Sequence, residues 1–551
     1  MKKCKKTITV FMAAVIGTIT VFSGCTKDKA VKEEKTNAEA LGITTGLSAD
    51  TKGEVSIMVW SGDGEYYEDI GNPNSTAGKK LADEKKIVAQ NVAQVYAVAK
   101  KFHEAYPDIK INLWSKIGDP DQHNTQSWEQ EMENFQAKYG KYPDIWASTD
   151  VISDIKKGLA ADLSVYKDDD TYKKYNKSLM SSMNYDGFQA GLPAYTIPVG
   201  IWVNKALAND HNINVPKPDW NIDEFTRFVT KADGKEFWAA KGTPIEILEL
   251  GTNCINKKIQ KENKVELNND EVKSLLKYLP KWAEKSIDVA TGAGTITKDI
   301  VKENGAYSWT YFTNNRTLVN FEDPWYLTAG ADEEAKDSPS FIKSADWDIY
   351  PYPSTDYCEN TIKVIMDPIC VHNYALDDKN KEWSEEEKIK RDISYTFATF
   401  WTASTAAKEA IQEQKWSDSG QIKSAAGDSF PVVTGDDYDK QMEIWNNLPA
   451  HKVYKDKEGF QQVLKIWYEG NYWDIIDKCW TSTVTQNGDT QKTMEEWLRC
   501  GDQEIAGAWF TDKNWADTVK SRLADWDENI NKRIDTADKQ LKEALKELYG
   551  K

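Results

Sequence analysis

The motifs that mark most enzyme sites are missing from this sequence of 551 residues. No HExxH, GxSxG, P-loop or GxGxxG occurs in it. This removes the helical zinc pair, the nucleophile elbow, the phosphate cradle and the dinucleotide turn that those spacings build. His103, His123, His211, His372 and His451 are the only histidines and none stands at a close metal-ligating spacing, so no metal and no cofactor is expected. Cys4, Cys25, Cys254, Cys358, Cys370, Cys479 and Cys500 include no CxxC. That argues against a zinc ribbon and a dense disulfide framework, while a Cys479–Cys500 bridge and free thiols both stay open. Basic residues are in deficit, 70 Lys plus Arg against 88 Asp plus Glu, for a net charge of −18. Such a surface repels phosphate backbones and argues against nucleic acid as a partner.

Long apolar runs are also scarce. Lys2, Lys3, Lys5 and Lys6 precede an apolar run from Ile8 to Phe22, too short for the roughly 20 residues of a membrane span and laid out as an export signal over residues 1–24. Phe22-Ser-Gly-Cys25 follows and looks like a bacterial lipobox, in which cleavage leaves a lipidated Cys25 as the new N-terminus. The alternative is an ordinary small-residue cleavage site. Residues 25–53 are polar and charged, the composition of a flexible tether.

From there the pattern alternates between strands and helices. Val55-Ser-Ile-Met-Val-Trp60 reads as a strand buried on both faces, broken by Ser61-Gly-Asp-Gly64. Residues 71–80 read as an irregular polar insertion. Val88, Val92, Val95, Ala99 and Phe102 then recur at helical spacing. Ile109, Ile111 and Leu113 alternate as a strand, Trp128, Met132, Phe135 and Tyr139 form a second helical stripe, and a strand start at Tyr142–Asp150 precedes a helix through Ile152 and Ile155. This succession implies a doubly wound α/β lobe, in which ligands sit beyond the carboxyl ends of the strands. At 551 residues the chain exceeds what one core holds, so a second lobe is expected.

Gly191-Leu-Pro-Ala-Tyr-Thr-Ile-Pro-Val-Gly-Ile-Trp-Val-Asn-Lys205 is an extended run that its prolines keep from being helical, and it reads as a crossing between lobes. With its Gly-Leu-Pro opening and Trp-x-Asn-Lys close, it resembles the first lobe crossover of family 1 extracellular solute-binding proteins, the sugar-capturing receptors of ABC importers. Pro143-Asp-Ile145 with Gly158-Leu-Ala-Ala-Asp-Leu163, the Pro218-Asp-Trp220 to Glu224-Phe225 segment and the Trp347-Asp-Ile-Tyr-Pro-Tyr-Pro353 return are similar to that family in the same order. The resemblance implies a type II periplasmic-binding-protein-like fold with two hinge-linked, doubly wound lobes. The expected division is residues 54–193 and 357–428 for lobe 1, and 194–356 and 429–551 for lobe 2 with a helical C-terminal extension. Thr361–Val371 reads as a strand rejoining the first lobe, 392–410 as a helix, 384–388 as a charged insertion, and Phe430-Pro-Val-Val433 as a third crossing.

Tryptophan is abundant, 22 of 551 residues. Indole faces stack on the C–H face of a pyranose while Asp, Glu and Tyr groups bind its hydroxyls, which suits carbohydrate in a concave site. The post-strand loops offer Trp60, Asp63 and Glu65, and the resemblance implies Trp146, Ser148 and Asp150 on the next such loop, with Trp146 open between cleft and core. Tyr195 lies on the crossover. Trp309 and Trp325 are candidates for an aromatic platform from the second lobe. Pairs such as Glu129 and Glu133 could serve a glycosidase, but read more simply as a solvated helix face. The expectation is a monomeric, lipid-anchored, extracellular receptor that binds a carbohydrate and delivers it to an ABC permease. A secreted glycoside hydrolase and a same-fold receptor for a peptide or polyamine are the rivals.

Overall fold

A computed structural model describes residues 37–60, 65–82, 90–116, 128–241, 266, 268–287, 308–321, 345–375, 383–418, 421–427, 429–470, 474–477 and 515–551. Among the strands, β1 is Gly53–Trp60, β2 Glu65–Asp69, β3 Ile109–Lys116, β4 Ile145–Ala147, β5 Asn184–Tyr185, β6 Phe188–Gln189 and β7 Leu192–Val199. Beyond Gly200 come β8 (Ile201–Asn204), β9 (Val319–Asn320), β10 (Trp347–Tyr350), β11 (Lys363–Val371), β12 (Lys415–Asp418), β13 (Gln421–Ser424) and β14 (Asp474–Asp477).

The large sheet runs β14-β11-β4-β1-β3-β2, with β7 also paired to β11. Its β3, β1 and β4 are parallel neighbours, and their apolar runs are buried as a parallel sheet covered on both faces requires. The helical stripes form as the spacing predicts: α1 is Gln90–Phe102, α2 Trp128–Tyr139 and α3 Val151–Lys156. The small sheet runs β10-β8-β9, antiparallel throughout. Parallel bridges join Trp238 to Thr317 and Lys241 to Ile287, extending it by two short segments. One face packs on a separate core with Trp220, Phe225, Phe228 and Trp282, carried in part by α4 (Ile222–Val229), which Asn221 and Glu224 close with the expected capping box.

The chain passes from the large sheet to the small one at Gly200, between β7 and β8, and returns between β10 and β11. A Cβ at Gly200 would lie 2.5 Å from the Tyr350 carbonyl oxygen, so the two crossing strands touch where only glycine fits. Beside this point Asp348 on β10 is fully buried. Lys205 Nζ (3.0 Å), Gly459 N (3.1 Å) and Phe460 N (3.2 Å) all donate to its carboxylate, tying both crossings to the start of the Glu458–Glu469 helix.

Four local expectations change. The insertion at 71–80 contains a helix, Thr76–Ala82, whose Thr76 and Ala77 N–H groups donate to Glu68. The charged stretch at 384–388 is a helix start: Ser384 and Glu387 form a capping box for α5, Glu385–Ala403. The helix expected over 392–410 is two, broken at Ser404, which is extended at ψ 131° and donates its hydroxyl to Leu41 O before α6, Thr405–Glu413, begins. From Asn37 on, the expected tether lies on the domain: Leu41 and Ile43 are buried in the large core, and Thr45 and Thr396 share a hydrogen bond.

The last helix, α7 (Trp515–Tyr549), has 35 residues. Leu523 is buried in the second core, whereas Leu541 and Leu545 are buried in the first. The residues described between them are exposed or half-buried. Eighteen residues of helix cover about 27 Å, so α7 is a strut with one end in each core.

Candidate functional site

β11 pairs antiparallel with both β4 and β7, so β7 points the same way as β1, β3 and β4. All four direct their carboxyl ends to one edge, and β7 continues from that edge into the small sheet. In the small sheet β9 ends at Asn320, opposite Trp202 and two residues from Gly200. The carboxyl ends of both sheets therefore converge on the crossover, the position at which open α/β sheets receive ligands.

The large sheet has a notch at this edge. β14 pairs with β11 as far as Met366, and β4 takes up the pairing again at Ile369. Between them lie Asp367 and Pro368, where the register with β7 also shifts. Aspartate and proline are poor residues for a central strand, and the shift is where the sheet tolerates them. Asp367 stands opposite Tyr195; it alone is half-buried along an otherwise buried β11, and Ala194 and Tyr195 are the half-buried residues of β7. Ser148 N donates to Pro368 O at 2.8 Å, which pins the loop after β4 against the notch. Thr149 and Asp150 of that loop are half-buried.

Beneath the loop lies a buried polar cluster. Trp146 Nε1 (3.0 Å) and Ser148 Oγ (2.6 Å) both donate to Asp154 Oδ2. Burial pushes the Asp154 carboxyl up to about 7, against the pull of those two hydrogen bonds. Burial likewise pushes the nearby Cys370 thiol up. Asp150 caps α3, accepting from Ser153 N at 2.9 Å.

These contacts sort the residues anticipated from sequence. Trp146 is a correction: it is 0 % exposed and its ring is core, with its one polar atom spent on Asp154. Ser148 is likewise buried and turned inward, a support for the loop. Trp309 is also core, edge-on to Trp202 at 5.0 Å and stacked with Phe312 at 5.9 Å. Tyr195 and Asp150 lie at the convergent edge. Trp60 and Glu65 end β1 and begin β2, but their side chains lie outside the description, and Asp63, Trp325 and Cys25 fall outside the described residues. Asp367 was missed. Its signal was the Asp-Pro pair interrupting the apolar run from Val364 to Val371.

On the small sheet Asn320 is buried, and neither atom of its amide has a hydrogen-bond partner among the described residues. No group of side chains among the described residues could hold a metal ion, and no helix among them is long and apolar enough to cross a membrane.

Two sheets with convergent carboxyl edges, joined by extended crossings, define the α/β fold of periplasmic solute-binding proteins. The family model of bacterial extracellular solute-binding proteins matches residues 97–361. Among solved structures, a sugar transporter from Rhizobium etli in an open conformation is similar with a TM-score of 0.52 at 13% identity, over 86% of this chain and 100% of that one. An ABC substrate-binding protein from Listeria monocytogenes in complex with cycloalternan aligns with a TM-score of 0.49 at 14% identity, over 90% of this chain and 99% of that one. At these identities the likeness is one of fold. No curated protein matches the sequence.

Proposed function

We propose that this protein is the substrate-capturing receptor of an ABC importer, and that it binds a sugar or oligosaccharide between its two sheets. The observation that carries the reading is the convergence of both carboxyl edges on the crossover, with an aromatic ring at Tyr195 and carboxylates at Asp367 and Asp150 on the large-sheet side. An aromatic face with hydroxyl acceptors beside it suits a pyranose. The fold shared with the Rhizobium etli sugar transporter supports the same class.

The lobes are built around the large and the small sheet; the expected assignment of 429–551 to the second lobe gives way to one in which β14, Phe430, Val433, Trp445 and Trp467 belong with the large sheet and its core, and ligand selects the closed arrangement, which the permease recognises. The family is one of extracellular receptors. Within it, this chain acts as a monomer held at the outer face of the cell membrane by lipid on Cys25, and performs no catalysis.

The test is a thermal-shift screen of the soluble chain against mono- and oligosaccharides, spermidine and peptides, with every hit checked for hydrolysis. A ligand that binds only the folded state raises the melting temperature increasingly as its concentration exceeds Kd. An intact sugar that stabilises the protein is the expected result. Sugar cleavage would replace the receptor with a glycoside hydrolase, and a hit confined to spermidine or peptide would replace the substrate class.

A further inference from the structure

The C-terminal helix α7 ends on the large-sheet lobe and begins on the other. Its last three turns are fastened at several points. Leu541 and Leu545 are buried in the large core, Tyr549 meets Phe188 edge-on at 4.6 Å and donates its hydroxyl to Ile155 O at 3.3 Å, Lys156 Nζ donates to Gln540 Oε1 at 3.1 Å, and Lys551 pairs with Asp162. Ile155 and Lys156 end α3, the helix that Asp150 caps at the convergent edge. At the other end Leu523 is fully buried and, among the described residues, is the one that brings α7 into the small-sheet core. One turn further on, Asp527 Oδ2 accepts from Asn268 N at 2.8 Å, and α7 lies against the Asp270–Leu276 helix.

Between these ends the helix is stiff. Sharp kinks form almost only at proline, at glycine or serine pairs, or at helix bulges, and residues 524–540 contain no proline, glycine or serine. A turn of one lobe against the other about the crossings therefore moves the two ends of a rigid rod, about 27 Å apart, relative to the cores that hold them. Drawing a fully buried leucine into water is unfavourable in proportion to the apolar surface exposed. We propose that α7 is an arm rooted on the large-sheet lobe that latches the small-sheet lobe through Leu523, so that the lobes change their mutual arrangement only when this leucine leaves its core. The proposal rests on the receptor reading for the movement of the lobes, and on the helix and its two anchors for the restraint. Because the root lies on α3, directly under the loop after β4, the arm joins the small-sheet core to the support of the convergent edge.

The experiment is single-molecule energy transfer on the soluble, ligand-free chain, with dyes on keto side chains introduced at Lys235 of the small-sheet lobe and Glu409 of α6, both exposed. The wild type should show one narrow population. In Leu523→Ala the share of molecules outside it should rise at least about tenfold, as expected for emptying a buried leucine site, while thermal melting stays cooperative. Leu523→Met keeps the buried volume and should resemble the wild type. Releasing the other end, through Leu541→Ala with Leu545→Ala, should broaden the distribution in the same way, since a rod held at one end restrains nothing. That pair lies in the other core, so the test survives a Leu523 variant that does not fold. A wild type already spread over several arrangements would overturn the latch, as would a folded release variant with the wild-type distribution. Equal broadening by Leu523→Met would assign the effect to packing within the small-sheet core and overturn it too. A latch found in a chain that no sugar stabilises would remove the receptor reading and keep the arm.

Discussion

Asp348 and Asp367 stand on the two successive strands that carry the chain back from the small sheet to the large one, and they sit in different surroundings. Asp348 has no exposed surface and its carboxylate is saturated by Lys205, Gly459 and Phe460. Asp367 is half-buried at a notch facing the convergent edges. Removing the partner of a buried charge is expensive, whereas a half-buried acid keeps part of its hydration and costs less to leave charged. Burial, set by neighbours distant in sequence, separates the two acids.

The sharpest way to break this comparison is Asp348→Ala. It strands the partly buried Lys205 ammonium and the N–H groups of Ile349, Gly459 and Phe460, and should cost about 3–5 kcal/mol in denaturant unfolding; a loss under about 1 kcal/mol would mean that the crossover does not depend on this pair. Next in size is Gly200→Ala, whose added methyl would sit 2.5 Å from Tyr350 O. Overpacking of this kind costs about 1–3 kcal/mol, and because the contact lies at the crossing itself, the variant should also bind sugar less tightly than its stability loss alone explains.

Tyr195→Ala probes the other side of the comparison. It should weaken sugar binding by about tenfold or more while changing the unfolding midpoint far less than Asp348→Ala does. Equal affinity in calorimetry would remove Tyr195 from the site.

The smallest effect concerns the support under the loop. Burial holds Asp154 protonated up to about 7 in the folded state, whereas an unfolded aspartate titrates near about 3.9. The folded state thus binds the extra proton between those values, so this group's contribution to stability is present below about pH 4 and is lost as pH rises through about 7. The wild-type melting temperature should carry a downward component between about pH 4 and pH 7. Asp154→Asn, which can still accept from Ser148 and Trp146, should lack it, and an unchanged pH profile in that variant would assign the slope elsewhere.

Much of the architecture was legible in advance. Helical spacing located α1 to α3, the prolines around Tyr195 marked an extended crossing, and the Asn221 to Glu224 box started α4. These features rest on local forces: periodicity, fixed proline φ and side-chain capping. The box at Ser384 is equally local, but its acidic run has the composition of a solvated insertion. The break at Ser404 was not local, since it depends on Leu41, more than three hundred residues away in the chain.

The site divides along the same line. Sequence by itself determined the order of strands and helices, the apolar character of β1 and β11, and the two crossings, because each is encoded within a window of a few residues. Tertiary structure alone decided which aromatic and acidic side chains stay partly exposed at the convergent edge. Trp146 and Trp309 have the composition of sugar platforms, yet packing from remote segments closes over both. Asp367 reaches the edge only because β4 and β14, more than three hundred residues apart, end on either side of it. A side chain's exposure is set by everything packed around it, and that sum is taken over the fold rather than along the chain.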